Sequence, residues 1–342
     1  MHIAANPHSL PLGKRALARG CAVTIGNFDG VHRGHQQLIG RTISIARDQG
    51  LPAVIITFEP HPLRVLKGND APPQLISLQH KLECFADLGV DLALVHPFSL
   101  HTAAMTPEDF VDEVLVGSLH TRALVVGYDY ALGKGRRGNA ELLTALGRTR
   151  GFSVEEFPAV IVNGETVSST RIREALQKGD VENAAMLLGR PHSVEGMIVH
   201  GMNRGGRLLG FPTANLGMTD DLLLPHKGVY AVLAEVNPKQ HSLPGVCPGS
   251  EGLYLRGVAN VGHNPTFGDA FLRVETHLLD FHGEIYDTPF RVHFMRRLRD
   301  ERKFNGVNEL IEQIRRDADL ARELLQTAPE SAKAHGPHNA AL

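Results

Sequence analysis

Between residues 21 and 188 the chain alternates short β-branched, apolar runs with longer stretches whose apolar positions recur every three or four residues. The run at 22–25 leads to a helix over 31–49, where Leu38, Ile39, Thr42, Ile43 and Ala46 keep helical spacing. Residues 53–58 lead through a Pro-rich loop to a helix near 78–88. Residues 90–96 precede a helix opening at Thr106-Pro107-Glu108-Asp109, where Thr suits the cap and Pro the first helical position. Residues 123–130 lead to a helix over 139–148, and 152–157 to one over 170–177. Such alternation predicts a parallel sheet with helices on both faces. Ligands of such sheets lie beyond the carboxyl ends of the strands, where residues 26–35 fall.

After Gly189 the period changes. The stretches "SVEGMIVHG", "GVYAVLAEV", "YLRGVANVG", "FLRVETHLLDF" and "PFRVHFMRRL" are strand-like and punctuated by Gly and Pro, and one late helix is expected over 307–325, with Leu310, Ile311 and Ile314 on its apolar side. That pattern predicts an antiparallel barrel or sandwich packed by a terminal helix. The expected domains are 1–188 and 189–326. The small, polar stretch 327–342 reads as a disordered tail.

Composition narrows the classes. A chain of 342 residues has room for about two domains with real cores. Net charge of −2 and the lack of a long polybasic run point away from nucleic acid. No apolar stretch approaches the ~18 residues of a membrane span, and the N-terminus has no apolar signal-peptide core. Cys21, Cys84 and Cys247 are odd in number and far apart, which suggests neither a disulfide framework nor a CxxC metal site; they read as small core residues in a reducing cytoplasm.

Candidate chemistry begins at "TIGNFDGVHRGHQQLIG", residues 24–40, which reads as strand, tight turn, helix. Gly26 and Gly30 can supply the positive φ of a reversal around Asn27, Phe28 and Asp29. His32 and His35 fall in the first helical turn on one face, and Gly34 leaves bare backbone for a ligand. A helix start favours an anion, so phosphate is the natural guest. A zinc site would need a third ligand that the nearby sequence lacks. Because 19 histidines make chance pairs common, the strand-turn-helix context carries the phosphate reading.

Four further stretches matter. "GKGRRG", 133–138, matches GxGxxG but lies late in its domain, and is read as a basic loop over phosphates in preference to a Rossmann fingerprint. "SSTRIR" opens a helix with Ser168, Ser169 and Thr170 and adds Arg171 and Arg173, planar donors suited to phosphate oxygens. "GRLLGFPTANL" combines Gly206, Arg207 and Gly210 with Thr213 and Asn215, which alternate onto one side of an extended segment and could share a hard cation. In "RVETHLLDF", strict alternation puts Glu275, His277, Leu279 and Phe281 on one face; Glu275 is then either solvent-facing or a partly desolvated base.

These stretches together resemble the bacterial bifunctional riboflavin kinase/FAD synthetase family from about residue 20 to 320. "GNFDGVHRGH", "FEPHP", "GYDYALGKGRRG" and "SSTRIR" look like its FMN adenylyltransferase module, and "GFPTANL", "GVYAV", "GVANVGHNPTFG", "VETHLLDF" and "LRDERKF" like its riboflavin kinase module. The resemblance implies a Rossmann-like nucleotidyltransferase domain followed by an antiparallel β-barrel kinase domain with a terminal helix. It implies that riboflavin and ATP give FMN, and that FMN and ATP give FAD and pyrophosphate, both with Mg²⁺. Carried over by motif, His32 and His35 bind ATP phosphates and stabilise charge at the α-phosphorus. Gly26, Phe28, Asp29, Gly30, Gly34, Asp129, Ser168, Ser169, Thr170, Arg171 and Arg173 complete that nucleotide site. Gly206, Arg207 and Gly210 serve the kinase nucleotide, Thr213 and Asn215 hold ATP–Mg²⁺, and Glu275 takes the proton of the riboflavin 5′-hydroxyl. Phe58, Pro60, His61, Pro62 and Arg299 are implied flavin contacts. The implied partners are riboflavin, FMN and ATP, with neither nucleic acid nor membrane; weak self-association is left open. His192 departs from the family pattern, standing where an aromatic is frequent after "GRP".

Overall fold

A computed structural model describes residues 1–7, 17–199, 213–217, 221–236, 253–263, 272–281, 285 and 287–326. Among them the chain forms two compact units, residues 1–72 with 78–168, and residues 73–77 with 169–326.

The first unit is built on a six-stranded parallel sheet. Its strands are β1 (His2–Ala4), β2 (Cys21–Ile25), β3 (Ala53–Glu59), β4 (Leu92–Pro97), β5 (Thr121–Gly127) and β6 (Ser153–Phe157), in the order β1-β4-β3-β2-β5-β6. All five residues of β2 are buried, as a central parallel strand covered on both faces requires. Alternate residues sort to the two faces. Val23, Val54 and Leu124 join a core with Phe110, Leu115 and Leu143, while Ala22, Ala53 and Ala123 meet Ala46 of helix α1 (Arg33–Asp48), which small side chains allow to lie close. The chain runs outward from β2 to β3 and β4, then crosses to β5 and β6 on the other side. The topological switch therefore falls between β2 and β5.

Helices α2 (Pro62–Lys67), α3 (Leu78–Asp87), α4 (Leu100–Ala104), α5 (Pro107–Phe110) and α6 (Ala140–Arg150) connect these strands. Thr106 caps α5 in a reciprocal box with Asp109 and Pro107 takes the first position, as the sequence predicts; the helix then widens into a π-helical stretch over Val111–Ser118. Cys21 is a core residue: its Sγ donates to the Leu119 carbonyl at 3.1 Å, and burial pushes the thiol up to about 12. A hairpin of β7 (Ile161–Val162) and β8 (Glu165–Thr166) closes the unit.

The second unit contains α7 (Ser169–Gln177), α8 (Val181–Leu188) and a closed antiparallel barrel. The barrel strands are β9 (His192–Val199), β10 (Thr213–Gly217), β11 (Gly228–Val236), β12 (Leu253–His263), β13 (Leu272–Leu278) and β14 (Pro289–Arg299), in the order β10-β13-β12-β11-β14-β9. Closure leaves no unpaired edge in the barrel. Residues 73–77 belong here because Gln74 exchanges backbone hydrogen bonds with Asp221 and Leu223.

The terminal helix α9 (Val307–Gln326) buries Asp317, Ala318, Ala321 and Leu325, and packs the last three with Ala231 and Leu233 of β11. Leu310, Ile311 and Ile314, the expected apolar side, are only half-buried, because the barrel is met one to two turns later. Asp317 is 4% exposed and takes a forked pair from Arg299, with Nη2 at 2.7 Å and Nε at 3.0 Å. Arg299→Ala strands that carboxylate, and the unit is expected to lose about 3 kcal/mol, readable as a lower urea midpoint.

His192 is likewise buried. Its Nε2 lies 2.9 Å from the Leu223 carbonyl, and desolvation lowers its pKa from 6.5 to about 4. The native state therefore binds this proton less readily than the unfolded chain does. The associated stability is complete above pH 6.5 and is lost as pH falls toward 4, by about 3 kcal/mol at 1.36 kcal/mol per unit. Unfolding curves of the wild type and His192→Gln should differ in pH slope across that window and run parallel above it.

Candidate active sites

Three loops leave the carboxyl ends of adjacent strands in the first unit. Residue 26 follows β2, residue 60 follows β3, and residue 128 follows β5; β2 pairs with both of the others. The glycine turn thus sits at the switch point, with the "FEPHP" and "GYDY" loops on either side.

Within the turn the backbone differs from the simplest expectation. Gly30 has positive φ (85°), but Gly26 does not; Phe28 (49°) and Val31 (40°) take the left-handed conformation instead. Gly26 is needed for space: a Cβ there would stand 3.1 Å from the Phe28 ring. Phe28 is 1% exposed and lies edge-on to His35, at 5.3 Å between centroids, and to Phe85 of α3, at 5.5 Å. Packing on both sides holds a conformation that would otherwise cost about 1–3 kcal/mol.

His32 is the N-cap of α1 and not part of its first turn, so the expected helix start at 31 moves to 33. Its Nδ1 accepts from the His35 backbone N–H at 3.3 Å, which puts the proton of the neutral ring on Nε2, a donor suited to a phosphate oxygen. The two rings stack at 3.6 Å and 14°, so the expectation of a shared direction holds. Gly34 does not present open backbone, because a Cβ there would meet the His32 ring at 3.1 Å; the glycine permits the stack. The Val167 carbonyl lies 3.9 Å from that same Cβ position, which brings Ser168 to the turn.

The remaining residues of this set are placed as follows. Asp29 is 4% exposed, and Asp129 is exposed just beyond β5, its carbonyl accepting from Arg136 Nη2 at 3.0 Å. The "GKGRRG" loop is pinched shut by paired hydrogen bonds between Leu132 and Gly138, leaving Lys134, Arg136 and Arg137 exposed. Phe58 is 8% exposed in an aromatic cluster with His96, Phe98 and Phe110, Pro60 is exposed, Pro62 starts α2, and His61 caps α2 through Nδ1. Ser169, Thr170, Arg171 and Arg173 open α7 in the second unit, where Arg173 Nε donates to the Pro73 carbonyl at 3.0 Å.

In the second unit the register of β10, β13 and β12 assembles the other set. Asn215 lies opposite Glu275, and Glu275 opposite Asn260; one step along, His277 stands between Thr213 and Val258. Ala214, Leu216, Val274, Thr276, Ala259 and Val261 are buried inside the barrel, so Asn215, Glu275 and Asn260 form a half-buried row on its outer face. Leu279 continues that face, packing with Ala231, Leu233 and Val258 beneath α9, whereas Phe281 lies beyond the strand. The strand ends at Leu278, and the Leu279 N–H still donates to the Arg256 carbonyl at 2.8 Å before the chain turns. Asn260 Nδ2 donates to Glu301 Oε1 at 3.4 Å. Arg299, an expected flavin contact, is held by Asp317. Gly206, Arg207, Gly210 and the tail 327–342 lie outside the described residues.

Two members were not singled out from sequence. Asn260 sits within a quoted motif, but its partnership with Glu275 follows only from strand order. Lys81 of α3 is 1% exposed, and burial pushes its ammonium down while Asp29 and Glu59 oppose that shift. The signal was present: Lys81 stands on the apolar face between Leu78 and Phe85 at helical spacing. Among the described residues no group of three or more His, Cys, Asp or Glu is arranged to hold a metal ion, and no helix is long and apolar enough to cross a membrane.

Comparison with known proteins agrees with this two-part layout. The family profile described as FAD synthetase matches residues 14–171, and that described as riboflavin kinase matches residues 188–325. The chain is 37% identical to the bifunctional riboflavin kinase/FMN adenylyltransferase of Bacillus subtilis, covering 92% of this chain and 95% of that one. It is also 37% identical to the protein of the same description from Escherichia coli K12, covering 90% and 94%. A crystal structure described as a macrolide-efflux protein from Streptococcus pneumoniae superposes with a TM-score of 0.78 at 30% identity, covering 94% of this chain and 98% of that one. With two profiles in tandem and relatives matched over nearly their whole length, the chain belongs to the bifunctional riboflavin kinase/FMN adenylyltransferase family and is an enzyme with both activities.

Proposed function

We propose that the two activities use the two residue sets separately, with residues 1–188 as the adenylyltransferase module and 189–326 as the kinase module. Riboflavin and ATP give FMN in the second, and FMN and ATP give FAD and pyrophosphate in the first. The observation that carries this reading is the Asn215–Glu275–Asn260 row, which sets a carboxylate between two amides on the barrel face while the stacked histidines stand at the sheet's switch point.

In the kinase module Glu275 takes the proton from the 5′-hydroxyl of riboflavin as the oxygen attacks the γ-phosphorus of ATP. Thr213 and Asn215 share a strand face and offer neutral oxygens, a donor set that fits Mg²⁺ once nucleotide phosphates complete its shell. When bound, the ion supplies positive charge to the phosphates. Asn260 holds the other flank of Glu275.

In the adenylyltransferase module the phosphate of FMN attacks the α-phosphorus of ATP and pyrophosphate leaves. His32 donates from Nε2 to a phosphate oxygen, His35 lies against it, and Ser168 supplies a hydroxyl beside the turn. Phe58, Pro60, His61 and Pro62 form the flavin side of that module, and Arg299 the flavin side of the kinase. No covalent enzyme intermediate is needed, because alignment and charge stabilisation suffice.

The test is a time course of purified protein with riboflavin, ATP and Mg²⁺, with the flavins separated by chromatography. FMN first and FAD later is the expected order. FMN alone would remove the histidine turn from catalysis, and flavin binding without conversion would replace the enzyme reading with a regulatory one.

A further inference from the structure

A buried lysine beneath the glycine turn is used by neither mechanism above. Lys81 lies on the inner face of α3 with Leu82 and Phe85, and is 1% exposed. An isolated ammonium in such surroundings is strongly disfavoured, so it requires negative partners. The groups that interact with it are Asp29, itself 4% exposed, and Glu59, the last residue of β3. These acids belong to different segments. Asp29 sits in the turn between the left-handed Phe28 and Gly30, and Glu59 immediately precedes Pro60-His61-Pro62. One helical turn from Lys81, Phe85 packs edge-on to Phe28, so the same face of α3 supports the turn by both contact and charge. Two acids under a site for two phosphorylated substrates would repel them; the ammonium offsets that repulsion.

We propose that Lys81 is a positioning residue for adenylyl transfer, tying the turn through Asp29 and the 59–62 loop through Glu59 into one arrangement. The proposal rests on the reading that these loops carry ATP and FMN. It predicts that removing the charge disturbs both substrates, although Lys81 touches neither.

The experiment uses the full-length protein as wild type, Lys81→Met, Asp29→Asn, the double variant and, in parallel, His35→Ala. FMN adenylylation is measured with ATP and FMN each varied, and riboflavin kinase activity of the same preparations reports folding of the rest of the chain. Lys81→Met should lower kcat/KM by about a hundredfold, the scale of a small misplacement at a reacting centre. KM should rise for both ATP and FMN, with kinase activity unchanged. The double variant should lose no more than the worse single, because both changes break one interaction. Unaltered KM values, or losses that multiply in the double variant, would overturn the proposal while a dead His35→Ala left the site assignment standing. Full FAD formation by His35→Ala would remove the assignment and the proposal with it. If Lys81→Met does not fold, Asp29→Asn added to it should restore a cooperative melt; failure to do so also overturns the role.

Discussion

His35→Ala is expected to stop FAD formation from FMN while leaving FMN formation from riboflavin intact. The substitution is a clean probe because the cap survives it. His32 Nδ1 accepts from the backbone N–H of residue 35, which alanine keeps, and alanine is the best helix former at this first-turn position. What disappears is the ring stacked at 3.6 Å on His32 and packed edge-on to Phe28. Loss of one charge-stabilising group costs about 10²–10³ in kcat, so FAD should fall to trace levels in a chromatographic time course. His32→Ala would be harder to interpret, since it removes the helix cap as well, at about 1 kcal/mol. Normal FAD output from folded His35→Ala would transfer the chemistry to other residues.

Glu275→Ala should produce the reverse phenotype. FMN formation is expected to drop by about 10²–10⁴, the usual contribution of a general base, while FAD formation from supplied FMN continues. Glu275 lies mid-strand on the outer barrel face, and its neighbours Val274 and Thr276 carry the buried packing, so the barrel should fold without it. Glu275→Gln keeps the length and the hydrogen-bonding ends between Asn215 and Asn260 but cannot take a proton. If the glutamine variant were as active as wild type, Glu275 would be a spacer in the row and the base would be elsewhere. Both variants assayed for both products form a cross-check: each should lose one peak and keep the other.

Local pattern carried much of this architecture. A period of 3.6 between strand-like runs is information held within a dozen residues, and it was enough to place α1, α3 and α6 close to their observed bounds and to predict a parallel sheet. Period-two alternation likewise put Asn215 with Thr213 and Glu275 with His277 before any pairing was known. It held through Leu279, which packs with Ala231 and Val258 in the row of His277, and carries no weight at Phe281, because alternation lasts only as long as the strand. β1 was missed for a related reason: three residues hold no period, and they become a strand only because β4 offers an edge.

The sequence by itself determined the longer, strongly periodic elements, the family resemblance, and the candidate residues that share a strand or a helix turn. Tertiary structure decided which of them meet. Asn260 reaches Glu275, and Glu275 reaches Asn215, through hydrogen-bonded register between strands far apart in the chain. Lys81 finds Asp29 and Glu59 only when α3 packs beneath the turn. The glycines changed meaning in the same way: Gly26 and Gly34 are required by the Phe28 and His32 rings packed over them, not by their own backbone angles. Periodicity records a residue's relation to its own element, whereas register and ring packing arise from burying surfaces of different elements against each other, which no local window contains.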